Sequence, residues 1–265
     1  MRNARSDDYD ATPRPVVSVG NEYPPGSARG SHRHRRSQLL YGATGLMMVG
    51  TEQGRWVVPP QRAVWIPAGI YHDLHAVGHV STRSLYIEPV AIPGAPPSCQ
   101  VLSVSALMRA LLMEAVDLPL EYDEAARDGL LMTLLLREIE RAPRLHLDIS
   151  FPTSPRLAER CRAYLDHPSP HESIDDWCAD LAMSRRSFTR AFRTELGTSF
   201  TAWCRQACVV AALPRLAAGE PVTSIALELG YASPSAFTQM FRSVTGVAPS
   251  DYFDANGDSA HVAAA

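Results

Sequence analysis

Three histidines and a glutamine carry the first chemical signal in the chain. His32 and His34 alternate, so on an extended strand their rings share a face, and Gln38 falls on the same parity. His72 closes a second short run, PAGIYH, at residues 67–72. Imidazole suits Zn, Fe, Ni or Cu, whereas an amide oxygen is a weaker, neutral ligand. The same four side chains are equally suited to hydrogen-bond a small polar effector, so both uses stay open on the residues alone. His75 and His79 follow His72 too closely to be counted as ligands and are read as surface or loop histidines. A second signal is cationic. Between Ser184 and Arg205 five arginines (Arg185, Arg186, Arg190, Arg193, Arg205) stand against one acid, Glu195, a surplus suited to phosphates and base edges.

The elements that must position these groups follow from texture. From Gln38 to Pro89, short apolar runs broken by Gly and Pro predict an all-β unit, a sandwich or barrel. A barrel of this size encloses one small ligand. Its expected effector-binding residues are His32, His34, Gln38 and His72 together with the aromatics Tyr41, Trp56, Trp65 and Tyr86. Residues 1–28, rich in Pro, Gly, Ser and charge, are expected to be a mobile arm, with the barrel at 29–98. Past the linker AIPGAPPSC the apolar period becomes helical. Leu107, Leu111 and Ala115 lie on one stripe, and Leu130, Leu134 and Leu135 lead another, which predicts a helical pair over 99–148 for self-association as a homodimer. After RAPRLHLDISFPTSP, residues 155–254 read as helical throughout, leaving a tail at 255–265.

Composition bounds the function classes. A chain of 265 residues, 46% hydrophobic and 20% charged, is folded and long enough for more than one domain. The net charge of -3 does not announce nucleic acid, although every one of the 25 basic residues is arginine. No eighteen-residue apolar run and no secretory signal is present, so no membrane partner and a cytoplasmic location are expected. The five cysteines are an odd set without a CxxC pair and read as reduced thiols. Cys204 and Cys208, spaced i and i+4 beside Trp203, are read as buried small hydrophobes in preference to a redox pair.

An internal repeat is the sharpest pattern. FTRAFRTELG starting at Phe188 and FTQMFRSVTG starting at Phe237 both fit FTxxFRxxxG, forty-nine residues apart. Upstream, Ile174, Trp177, Cys178 and Leu181 correspond to Val222, Ile225, Ala226 and Leu229. Each copy reads as a short amphipathic helix, a tight break (Met183-Ser184, then Gly230-Tyr231-Ala232) and a second helix begun by a serine cap, the anatomy of a helix-turn-helix. In the first copy Phe188, Phe192 and Leu196 must face a core, which turns Arg186, Thr189, Arg190 and Arg193 outward. A connector from about Ser199 to Ala218 would span roughly 30 Å as a helix, close to one turn of DNA at about 34–36 Å. Pro214 inside it is expected to kink or shorten it.

The stretches LAMSRRSFTRAFRTELGTSFTAWCRQ and AAGEPVTSIALELGYASPSAFTQMFRSVTGVAPSDYF resemble the DNA-binding domain of the AraC/XylS family of transcription regulators. The resemblance implies that Arg185, Arg186, Thr189 and Arg190 approach bases or phosphates from the first reading helix and Ser235, Thr238 and Gln239 from the second, with Arg193 and Arg242 on phosphates. Cys208 stands at a connector position where that family usually has arginine. Likewise HxHxxxQ at 32–38 and PxGxxH at 67–72 resemble the two metal-ligand motifs of cupin barrels, with Gln38 where a glutamate is ordinary. This implies a metal site of His32, His34, Gln38 and His72, a divalent metal being the one cofactor candidate.

The expected architecture is therefore α+β and multidomain: an N-terminal cupin-like β-barrel, a helical dimerisation segment, and a C-terminal all-α domain with two helix-turn-helix motifs joined by a connector helix. The expected function is a sequence-specific transcription regulator, not an enzyme, whose cupin-like domain senses a small-molecule effector. Its expected partners are double-stranded promoter DNA, that effector, a second copy of the chain and, for an activator, RNA polymerase. The alternatives are a metal-dependent cupin enzyme, a dioxygenase or isomerase with an appended helical domain, and a metal- or redox-sensing regulator.

Overall fold

The computed structural model describes residues 11–145 and 147–253; the expectations for residues 1–10 and for the tail at 255–265 lie outside the described residues. The chain forms two compact units, one built mainly from residues up to Leu147 and the other from Asp148 onward, with Glu52–Arg55 grouped with the second. Among the described residues no helix is long and apolar enough to cross a membrane.

The first unit is β-rich, with strands β1 (Val16–Tyr23), β2 (Ala28–His32), β3 (Ser37–Thr51), β4 (Gly54–Val58), β5 (Arg62–Ile66), β6 (His72–Ile87), β7 (Gln100–Ser103) and β8 (Arg144–Leu145). They pair in the order β1-β6-β3-β5-β7-β8, with β2 also on β6 and β4 also on β3. The pairing path is open among the described residues, with β1 and β8 at its ends, so the expected cupin-like β unit takes the form of an open sheet. β1 corrects the expected arm. Val16, Val17 and Val19 are buried and the strand pairs antiparallel with β6 from Val16↔Ile87 to Tyr23↔Val80. Averaging composition over 28 residues hid a short β-branched run whose ladder bonds are made far along the chain.

Strands β3 and β6 are the spine of this unit. They run in register from Ser37↔Ile87 to Thr51↔His72, with irregularities between Gly42 and Leu46. Gly45 sits there at φ +70°, and a Cβ on it would lie 2.3 Å from the His79 carbonyl oxygen, so only glycine fits. Because side chains alternate, the ladder has two unlike faces. Leu39, Tyr41, Trp65 and Leu85 share one apolar face, covered by α1 (Ala106–Ala115) and α2 (Arg127–Arg141). Inward contacts come from Met108, Leu112 and Ala115 of α1 and from Leu131, Met132, Leu135 and Ile139 of α2. The expected stripes are thus corrected by about one position: Leu107, Leu130 and Leu134 face outward, with 49%, 67% and 42% of their surface exposed. Both helices are apolar on more than one face, and the period alone does not say which face the sheet claims.

The second unit carries β9 (Asp148–Ser150), α3 (Pro155–Asp166), α4 (Ile174–Asp180), α5 (Arg185–Leu196), α6 (Phe200–Ala217), α7 (Val222–Glu228) and α8 (Pro234–Thr245). Both repeats fold as expected. The Ser184 hydroxyl accepts from the Ser187 amide and the Ser233 hydroxyl from the Ala236 amide, capping α5 and α8 at their N-termini. Gly197 and Gly246 end the same helices in the left-handed conformation. In the first copy Trp177 packs against Phe188, Phe192, Phe200 and Trp203. In the second, Phe237 packs on Tyr231 and Phe241. The connector α6 begins at its Ser199 cap as expected, but Pro214 does not cut it short, since helix continues to Ala217. Pro214 lies in the last turn, where one amide is lost, and its own carbonyl still accepts from the Ala218 amide at 3.0 Å.

Candidate functional site

In the β-rich unit the structure brings His32, His34 and His72 into one group whose ligating atoms all lie within 4.8 Å of one another. Ring centroids are 4.3 Å apart for His32 and His72, 5.0 Å for His32 and His34, and 5.4 Å for His34 and His72. The elements explain the convergence. His32 ends β2 and stands in register with His72 at the start of β6. Nδ1 of His32 lies 2.8 Å from the Gly30 carbonyl and Nδ1 of His72 lies 3.0 Å from that of Ile70. A carbonyl only accepts, so each Nδ1 carries the proton and each Nε2 keeps its lone pair. His34 is buried and neither of its ring nitrogens has a hydrogen-bond partner.

Gln38 and Tyr86 face each other across β3 and β6. The Gln38 amide nitrogen donates to the Ser84 hydroxyl and the Tyr86 hydroxyl, both at 3.2 Å, while its amide oxygen is buried without a partner. Tyr86 also stacks edge-on to His34, centroids 4.9 Å apart. Five of the eight sequence-derived effector residues therefore meet. Tyr41 and Trp65 do not. They belong to the apolar face under α1 and α2, because Tyr41 has the opposite parity to Gln38 on β3 and Trp65 pairs with Leu39. Trp56 is buried on β4 with its indole N–H unpartnered. Ser84, which orients Gln38, was not read from the sequence; its even spacing from Tyr86 on one strand was the available signal.

Burial sets the charge of this group. It pushes the His34 imidazole down to about 3, helped by the His72 and His32 rings, and that of His72 down to about 4. His32 is lowered by the same cause. At neutral pH all three rings are therefore uncharged, the form that ligates metals or accepts hydrogen bonds.

In the helical unit, α5 buries Phe188 and Phe192 and leaves Arg186, Thr189, Arg190 and Arg193 exposed. Among the described residues Arg186, Arg190 and Arg193 have no acidic partner. Arg185 differs: its guanidinium grips Asp175 of α4 with contacts of 2.5 and 2.7 Å, which lowers the carboxyl and raises the guanidinium. It ties the two helices of the first motif together. The lone acid of the arginine-rich stretch, Glu195, points elsewhere. Its carboxylate accepts from the Ser154 hydroxyl at 2.5 Å, the Ser154 amide at 2.8 Å and the Thr153 hydroxyl at 3.0 Å. Burial alone would raise that carboxyl, but these hydrogen bonds outweigh it and hold it low. On α8, Ser235, Thr238, Gln239 and Arg242 line one shallow depression of about 380 Å³ beside Pro234. Cys204 and Cys208 are buried thiols, and burial pushes Cys204 up to about 12, so neither offers a reactive thiolate.

A sensor-type β domain with an inward polar group, followed by two capped helix-turn-helix motifs with outward polar faces, defines a ligand-responsive DNA-binding regulator. The AraC-like ligand binding domain family matches residues 14–139, and a helix-turn-helix domain family matches residues 177–255. The chain is 30% identical over 221 residues to the HTH-type transcriptional regulator NimR of Escherichia coli (strain K12), covering 83% of this chain and 81% of that protein. It belongs to the AraC family of transcriptional regulators. The regulator RipA of Corynebacterium glutamicum is 30% identical over 108 residues, 38% of this chain and 32% of RipA. Among solved structures, unsaturated fatty acid-bound ToxT from Vibrio cholerae is similar at a TM-score of 0.38 and 12% identity, covering 90% of this chain and 94% of ToxT.

The depressed histidines carry a sign for stability. Their folded-state values lie below the ordinary 6.5, so the contribution of the neutral rings is complete above that value. It is lost as pH falls, because the unfolded chain then binds protons that the folded chain refuses. Melting temperature is expected to drop between pH 6.5 and 5 in metal-free protein, and a His34→Gln, His72→Gln double variant is expected to flatten that slope. An equal slope in both proteins would refute the assignment.

Proposed function

We propose that this regulator binds promoter DNA as a homodimer in the cytoplasm and that a small molecule held at the His32–His34–His72 group of its β-rich domain sets its activity. The observation that carries the DNA-binding part is the unpaired arginine row on α5. Arg186, Arg190 and Arg193 are exposed, while the aromatic core beneath them holds the helix rigid. With Thr189 they form the principal reading surface. Arg185, clamped on Asp175, contributes to phosphates only by exchanging partners. Ser235, Thr238, Gln239 and Arg242 of α8 make the weaker surface, with one cation among them. The 18 residues of α6 amount to about 27 Å of helix, in keeping with two reading helices in successive major grooves on one face of a duplex. Contact with RNA polymerase is the corresponding expectation for an activator. We assign no catalytic residues, since family membership favours a regulator over a cupin enzyme.

Homodimer formation is supported by the outward leucines of the helical pair. Leu107 and Met113 on α1 and Leu130 and Leu134 on α2 are exposed large apolar side chains, which would be buried in an interface between copies. A Leu130→Glu, Leu134→Glu variant is expected to sediment as a monomer at concentrations where the parent is dimeric; an unchanged sedimentation coefficient would place the interface elsewhere.

A second reading, a metal-dependent sensor, is favoured by one observation: the buried His34 ring has two nitrogens without partners beside the free lone pairs of His32 and His72. The donor set fits a borderline divalent ion such as zinc or nickel, held by His32, His34 and His72 with the unpartnered amide oxygen of Gln38. When bound, such an ion would supply Lewis acidity toward an effector oxygen or nitrogen. Elemental analysis of the parent is expected to give near-stoichiometric metal and that of a His34→Ala, His72→Ala variant none; equal content in both would remove the site.

For DNA, Arg190→Ala is expected to weaken specific binding by about 1–3 kcal/mol and to relax preference at one base pair. Gel-shift titration against a selected operator checks this, and unchanged affinity with unchanged sequence preference refutes the role.

A further inference from the structure

Four arginines lie between residues 29 and 36, and the fold satisfies three of them. Arg35 and Arg36 both pair with Glu88, at 2.8 and 3.0 Å. Arg33 lies over the Tyr71 ring, 4.8 Å from its centroid. Arg29 is half-buried and has no acidic or hydrogen-bonding partner among the described residues.

Its position follows from the register of β2. Arg29 stands opposite Leu74 and His32 opposite His72, and the ladder shifts between them. Leu74 and His72 are two apart on β6 and share a face. The shift is what brings Arg29 and His32, an odd number of residues apart, onto that same face. Among the described residues no acidic side chain joins the histidine group as a ligand. Asp73, next to His72, stands on the opposite side of the strand, against Gly50, and Gln38 is neutral.

The cluster therefore combines a guanidinium, three imidazoles and a neutral amide; the Asp73 charge reaches the His32 and His72 rings from the other side of the strand, but no carboxylate among the described residues pairs with the guanidinium. A half-buried cation without a partner is unfavourable. From this juxtaposition we infer that the effector is an anion, a small carboxylate or a molecule bearing one, whose charged end pairs with Arg29 while a second polar group meets the histidines. The inference rests on the effector-site reading above and names its ligand class. A planar carboxylate matches the guanidinium fork with two parallel hydrogen bonds.

Acetate and its neutral counterpart acetamide are suitable probes, because they test the charged end without assuming the rest of the effector. On the full chain freed of metal by chelation, NMR signals of the His32, His34 and His72 rings and of the Arg29 Nε–H are followed during titration at constant ionic strength. Acetate is expected to shift these signals saturably and acetamide to leave them in place. Arg29→Ala is expected to weaken acetate binding by about tenfold or more, Arg29→Lys to retain part of it, and Arg137→Ala, on the exposed face of α2, to change nothing. Acetamide binding as tightly as acetate, or parent-like acetate binding in Arg29→Ala, overturns the inference while leaving the histidine group a ligand site. If neither probe moves the signals, the inference falls. The effector-site reading falls with it only if metabolites that alter DNA retention still do so in His34→Ala protein.

Discussion

The two-sidedness of the β3–β6 ladder is the constraint from which the first domain's properties follow. One face must be closed by an apolar layer, and α1 and α2 supply it over Leu39, Tyr41, Trp65 and Leu85. The other face is then free to hold polar side chains away from water, and Gln38, Ser84 and Tyr86 occupy it in a hydrogen-bonded row. Desolvation on that face keeps the imidazoles neutral, which in turn makes them ligands and hydrogen-bond acceptors rather than cations. Side-chain period thus decides both where the helices dock and where the chemistry is possible.

The helical unit solves a different problem with the same economy of means. A seven-residue α4 and a seven-residue α7 are too short to be stable alone. Each is held by a cluster of aromatic and aliphatic side chains shared with the following helix and with α6. Trp177 is the centre of the first such cluster, touching Phe188, Phe192, Phe200 and Trp203. That packing fixes α5 while leaving Arg186, Arg190 and Arg193 in water, so the cost of ordering this exposed face is met in the core. The Glu195 contacts with Thr153 and Ser154 add a mechanical detail. The chain entering this unit is fastened to the C-terminal end of α5.

Much of this architecture was legible in the residues because its signals are local. Serine caps, terminal glycines and a phenylalanine every fourth residue specify each helix-turn-helix over a dozen positions, and duplication confirms the pattern internally. The histidine group was legible for a related reason: alternation on a strand puts His32 and His34 on one face whatever the strand pairs with. Composition failed at β1, where Val16–Tyr23 lies in a polar surround and is stabilised by partners some sixty residues away. Parity was available for Tyr41 and would have excluded it from the polar face, whereas Trp65 needed the register with Leu39 before its side could be known.

Sequence alone determined the family, the order of the domains, the capped helices with their outward arginines, and the identity of the histidines that meet, because each of these depends on spacing within one element or on a repeated motif. Only the tertiary structure decided which leucines of α1 and α2 face outward, that Arg185 is engaged by Asp175, that Pro214 leaves α6 helical to Ala217, and that the register of β2 shifts between Arg29 and His32. Those outcomes depend on which long-range partner each side chain finds, and pairing across a sheet or between helices is set by the free energy of the whole core, not by any single stretch of chain.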